Sequence, residues 1–348
     1  MTRLWWSAAL SLGLLVGCNT DGNRAVLADA ASEAQTLSAA KALIQSHFDD
    51  FALATRALRD AAPGPDQDGW NAKDDAAALT AMRAAWLKAR AAYTAVEVPA
   101  STLFPDLHHS VDTDYDDLIA EGADTSSFDD HGVIGLQAVE RILWSNAISA
   151  NVAEHESRLQ NNFVARFPEN ANEAKQLGVN LLGKLMADAE ALRDGWRSSD
   201  IDVGTAYSTT TLSLQEQLGQ LEEAGKGEGK ARYSSFSLAN LRGGLAATQA
   251  MYAVFRPWIL AKSGGAHTDE EVGNAFSRLK AAYDKAPGND LPRPPSNWLQ
   301  ADPSDAMLAT AFGLLFAAAR DEADFAVDGT LCFEMVEGAG LLGVTADY

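Results

Sequence analysis

The densest chemistry in the sequence lies just upstream of residue 140. From Asp106 to Glu140 there are ten carboxylates and no lysine or arginine, and His108, His109 and His131 fall in the same stretch. Carboxylate oxygen mixed with imidazole is a donor set for divalent or ferric cations. The alternative for such a run is a solvated acidic loop. Asp112, Asp114 and Asp116 open like a calcium-binding loop, yet its sixth position would be Asp117 instead of glycine and its twelfth Ala123 instead of glutamate. Gln137 and Glu140 follow at i, i+3, so they share one helix face with Val133 and Trp144. That face is either an inward polar site or a partly exposed stripe, and an inward Glu140 needs a partner, which can be a metal, an arginine or hydrogen-bond donors.

Other chemistries lack their spacing. His155-Glu156 is followed by Ser157, Arg158 and Leu159, so the second histidine of an HExxH site is missing. No GxSxG elbow occurs. Gly225-Lys226-Gly227-Glu228-Gly229 reads as a flexible loop without the strand context of a phosphate-binding fingerprint. Cys332, between Leu331 and Phe333, reads as a small buried hydrophobe. Lys+Arg total 27 against 48 Asp+Glu, a net charge of −21 over 348 residues. That balance argues against nucleic acid as a partner and against docking on anionic lipid by charge.

The elements that must position these residues read as helices, because alanine is frequent, proline totals 11 and no run alternates long enough for a sheet. Leu43, Phe48, Phe51 and Leu58 mark the first, and Leu79, Met82, Trp86, Tyr93 and Val96 the second, with Pro99 as its stop. Residues 100–131 read as irregular. Helix is expected again from Gly132 to Ser149, across 171–196 and across 200–223. Ser234, Ser235 and Ser237 are expected to cap a helix carrying Leu238, Leu241, Leu245 and Phe255, which Pro257 ends or kinks. Val272 to Tyr283 and Met307 to Phe316 give two more, and the form of the tail from Asp328 stays open. The reading is all-α, in two bundle-like halves over 38–170 and 171–348.

Residues 1–17 read as a signal peptide, with Arg3 ahead of an apolar stretch from Leu4 to Val16. Leu15-Val16-Gly17-Cys18 resembles the bacterial lipobox, which implies cleavage before Cys18 and lipid attachment to its sulfur. Residues 18–37 then read as a tether, and the expected location is the cell envelope, periplasm-facing, with the membrane as partner through the N-terminal lipid. With Cys18 acylated, Cys332 stands alone and no intrachain disulfide forms.

Several segments together resemble one family. Gly135-Leu136-Gln137-Ala138-Val139-Glu140-Arg141-Ile142-Leu143-Trp144 is similar to the signature helix of the imelysin-like proteins, GxHxxE with an apolar end. Trp86, Arg90, Tyr93 and Glu97 resemble the family's upstream helix, and Val111 to Asp117 its acidic segment. Tyr233-Ser234-Ser235-Phe236-Ser237-Leu238, with Phe255-Arg256-Pro257, is similar to the YSHTDL-type region of periplasmic iron-uptake members. The matches run in order over about 70–260. The resemblance implies two helical halves, an envelope location with the outer membrane preferred, iron-uptake partners and a metal site at the signature helix. Its expected ligands are Glu140, Gln137, Glu97, Asp112 and Asp116, holding a divalent or ferric cation, with Arg90, Tyr93, Tyr233 and Ser235 as lining. The family also carries an older peptidase label.

The sequence departs from the pattern where ligands matter. Gln137 replaces the motif histidine, Ser235 the second histidine and Ser237 the acid after it. A neutral amide oxygen is a poor ligand for zinc or iron, so the surviving set favours a hard cation. Three functions stay open: a metal-binding or metal-uptake accessory lipoprotein, a metallopeptidase, and a non-catalytic scaffold lipoprotein whose metal site is degenerate.

Overall fold

Apolar residues at helical spacing and a scarcity of proline should leave little but helix, and every regular element among the described residues is helical. The structure, a computed structural model, describes residues 21–120, 128, 134–159 and 165–345. Residues 1–17, read as a signal peptide, and Cys18, His131, Val133 and the acids from Glu121 to Asp130 lie outside the described residues. The helices are α1 (Asp21–Asp60), α2 (Ala76–Thr94), α3 (Glu97–Leu103), α4 (Pro105–Asp112), α5 (Tyr115–Ala120), α6 (Gly135–Leu143), α7 (Ala150–Glu156) and α8 (Ala171–Gln176). A π turn (Leu177–Leu181) joins α8 to α9 (Leu182–Ser198). There follow α10 (Val203–Lys226), α11 (Ser237–Leu260), α12 (Gly265–Lys285), α13 (Asp305–Leu308), α14 (Ala311–Glu322) and α15 (Leu331–Leu342). None of the described helices is long and apolar enough to cross a membrane.

The core follows from the stripes. On α2, Leu79, Met82, Trp86, Ala89 and Tyr93 are all buried, as the i, i+3, i+4 pattern requires. α1 covers this face and also packs on α9, α10 and α11, so it bridges the two expected halves. Buried apolar side chains from α1 through α15 form one contiguous cluster. Burying each large aliphatic or aromatic side chain there contributes roughly 1.5–3 kcal/mol against the entropy of ordering it.

Several expectations change. Residues 21–37, read as tether, are the first turns of α1. Residues 100–131, read as irregular, hold the rest of α3, all of α4 and all of α5. Pro99 does not stop α2, which ends at Thr94. It sits in the first turn of α3, where a missing N–H costs no intrahelical bond. The signature helix is shorter than the expected Gly132–Ser149 span. Pro257 lies inside α11, which continues to Leu260. The glycine-rich segment begins in the last turn of α10, with Gly227 as its left-handed cap. The tail from Asp328 contains α15. Cys332 is fully buried at the start of α15, and burial pushes its thiol up to about 12.

Candidate functional site

Short elements converge on the inner face of α2. Arg90 is one turn before Tyr93 on the buried stripe, so its guanidinium is carried into the core. α3 starts at Glu97, α4 ends at Asp112, α5 carries Asp116, and α6 carries Gln137 and Glu140. α6 is pinned at its start by Trp86, whose Nε1 donates to the Leu136 carbonyl at 2.9 Å. Gly135 is needed there. Its φ is +82°, and a Cβ would meet the Val111 carbonyl at 2.7 Å. The loop between α10 and α11 closes the site with Lys230, Arg232, Tyr233 and Ser234.

Two cations organise the first group. Arg90 Nη1 bonds Asp112 Oδ1, Nη2 donates to Glu97 Oε2 at 3.2 Å, and Nε donates to Asn240 Oδ1 at 3.4 Å. Lys230 Nζ bonds Glu97 Oε1 and lies 3.0 Å from Glu216 Oε1 and 3.3 Å from Asp112 Oδ2. The Arg90, Asp112 and Glu97 side chains are at most 2% exposed. Burial pushes the Glu97 carboxyl well above the carboxylate range, against the pull of Lys230 and Arg90. Asp112 moves the other way: burial opposes its charge, but Arg90 and Lys230 prevail and hold it low. Tyr93 packs beneath Arg90, its ring centroid 5.7 Å from the guanidinium, and its hydroxyl pairs with His108 Nδ1 at 2.7 Å.

A second group forms around Asp116. Arg232 donates to both Asp116 oxygens, at 2.6 and 2.9 Å, and to the Tyr233 hydroxyl at 2.8 Å. His155 Nε2 bonds Asp116 Oδ2 at 2.8 Å. His155 reaches this position because Gly227, with φ +98°, has no Cβ. A Cβ there would meet His155 Nδ1 at 2.5 Å. Beside them Arg141 forks onto Glu156, at 2.6 and 2.8 Å, and lies 5.4 Å from the Tyr233 ring centroid.

The two signature-helix side chains turn inward. Gln137 is 3% exposed; its Oε1 accepts from the Tyr115 N–H at 3.2 Å and its Nε2 donates to Asp114 Oδ1 at 2.6 Å. Glu140 is wholly buried. Its Oε1 accepts from the Ser234 N–H at 2.7 Å, and its Oε2 has no hydrogen-bond partner among the described residues. Burial pushes its carboxyl up to about 7, with the Ser234 hydrogen bond opposing.

The structure therefore brings Glu97 and Asp112 into one group, places Asp116 in a second, and keeps Gln137 and Glu140 in separate hydrogen-bonding arrangements. Arg90 is a central member of the first group, and Tyr233 a member of the second. Ser235 does not line the site: it is exposed, with a left-handed φ of 56°. The expected serine caps of α11 are absent too. Ser234 gives its N–H to Glu140, Ser237 is the first helical residue and bonds Asp290, and the N-cap is Phe236. Lys230, Arg232, His155 and Glu216 were missed by sequence reasoning. The signal for two of them was the pair of bases at 230 and 232, directly before the Tyr233 segment, as counterions for an acidic run that has none of its own.

The donor set does not fit a metal. Glu97 and Asp112 are held by Arg90 and Lys230, Asp116 by Arg232 and His155, and the Gln137 oxygen by a backbone N–H. A metal would have to displace guanidinium and ammonium groups already desolvated with these carboxylates. Among the described residues no group of three histidine, cysteine, aspartate or glutamate side chains is placed to hold an ion. A family model described as Peptidase_M75, imelysin, matches residues 24–311. No curated protein matches the chain.

Proposed function

The chain belongs to the imelysin family, and from that premise we propose that it is a non-catalytic binding or scaffold lipoprotein of the cell envelope. In this reading, internal side-chain cations hold the acids of α3, α4 and α5 that the family's metal would otherwise use. One observation carries it: every expected ligand carboxylate except Glu140 is engaged by an arginine, lysine or histidine. The same geometry argues against the peptidase label, because His155 is spent on Asp116 and Glu156 on Arg141. The lipid anchor rests on the lipobox-like Leu15-Val16-Gly17-Cys18, and the periplasm-facing location on that segment and the family.

A metal-uptake accessory role is the second reading, and Glu140 Oε2 favours it, as a buried acceptor without a donor. Unfolding experiments separate the two. An ion present at a hundred times its Kd adds about 2.7 kcal/mol to stability. The melting midpoint of the wild-type protein is expected to be unchanged by chelator and by added ferric, zinc, calcium or magnesium ions. A chelator-sensitive midpoint would return the metal reading. For the anchor, Cys18→Ser is expected to move the protein from the membrane to the soluble periplasmic fraction, and continued membrane retention would contradict it.

A further inference from the structure

Lys230 Nζ stands where three helices meet. Glu97 Oε1 reaches it from α3, Glu216 Oε1 from α10 at 3.0 Å, and Asp112 Oδ2 from the end of α4 at 3.3 Å. Asp112 is fully buried at its side chain, and this oxygen accepts no hydrogen bond from any described residue, with the Lys230 ammonium 3.3 Å away. A cleft of about 40 Å³ abuts the same group, and Glu97 and Glu216 form part of its wall. The wall also carries Thr210, whose hydroxyl is buried without a partner, and is completed by half-buried Leu43 and His47 on α1. The nest is therefore not sealed inside the core.

We propose that Glu97, Asp112 and Glu216 form a primary-ammonium site that the chain occupies itself, with the Lys230 side chain. This rests on the reading that side-chain cations replace the metal, and it goes further. The nest lies beside a largely apolar cleft through which a free alkylammonium can reach it once the lysine is gone.

The test is Lys230→Ala in the full mature chain, melted in rising n-propylammonium chloride at constant ionic strength. The expected result is a saturable rise in the melting midpoint of the variant. No such rise is expected in the wild type or in Lys230→Ala combined with Glu216→Gln. Three results overturn the proposal: no saturable rise, an equal rise in the wild type, or a variant that stays unfolded by circular dichroism with the amine present as well as without it. A wild-type protein that binds metal would overturn the preceding reading instead, and leaves the amine response of the variant to be judged by itself.

Discussion

Arg90→Ala is expected to lower the unfolding free energy by about 3–5 kcal/mol, the cost of leaving a buried charge without its partner. Arg90 is 1% exposed and holds Asp112, Glu97 and Asn240 at once. Its removal strands the Asp112 carboxylate between Lys230 and a void, and takes the guanidinium off the Tyr93 ring. Denaturant unfolding of the two proteins measures the loss. Asp112→Asn in the Arg90→Ala background should restore part of it, because the unpaired charge is removed along with its penalty. Arg90→Lys should not substitute, since an ammonium cannot span three acceptors in a plane. A loss below about 1 kcal/mol would place Arg90 among weak surface-like pairs and contradict its central position.

Glu140 should give a large pH effect. Its carboxyl is raised from an ordinary value of 4.5 to about 7 by burial. Between those values the folded protein keeps the proton and the unfolded chain loses it, so stability falls as pH rises. The contribution is fully present below pH 4.5 and lost once pH passes about 7, and amounts to about 3 kcal/mol for a shift of this size. Asp112, Asp116 and Glu216, held low by their cations, have the opposite sign and lose stability toward acid. Glu140→Gln isolates the first effect, since the amide oxygen can still accept from Ser234. The difference in unfolding free energy between the wild type and the variant should shrink as pH falls from 8 to 5 by about 3 kcal/mol. A difference that stays flat over that interval would show that Glu140 is ionised throughout in the folded protein.

The helix-bearing pattern of this chain was legible wherever one face is apolar. The α2 stripe, the span from α8 to α9 and the α12 face all sit where spacing puts them. The inward turn of Gln137 and Glu140 was not settled by spacing, which left an inward polar site and a partly exposed stripe both open; in the structure all nine residues of α6 are buried. The pattern failed where polar residues do the packing. α4 and α5 are short and dense in aspartate and histidine, so their buried faces mix Asp112 and Asp116 with only Val111, Tyr115 and Leu118, too few apolar positions for periodicity to show them. α15 was hidden by Gly338 and Gly340, which dilute its helical signal.

The partners of the acids were illegible for a different reason. Lys230 lies 133 residues from Glu97 in sequence, and Arg232 lies 116 from Asp116. Nothing local to the acidic run marks it as internally neutralised. A run of carboxylates without a base reads as a cation site until the fold supplies the bases, and here the loop between α10 and α11 supplies both.

The most direct measurement is a calorimetric titration of the wild-type sequence over residues 18–348 with ferric, ferrous, zinc, calcium and magnesium ions. With the carboxylates already held by Arg90, Lys230, Arg232 and His155, no saturable binding is expected at sub-millimolar ion. Near-stoichiometric binding of any of these ions, abolished by Glu140→Ala, would contradict the claim that side-chain cations stand in the metal's place.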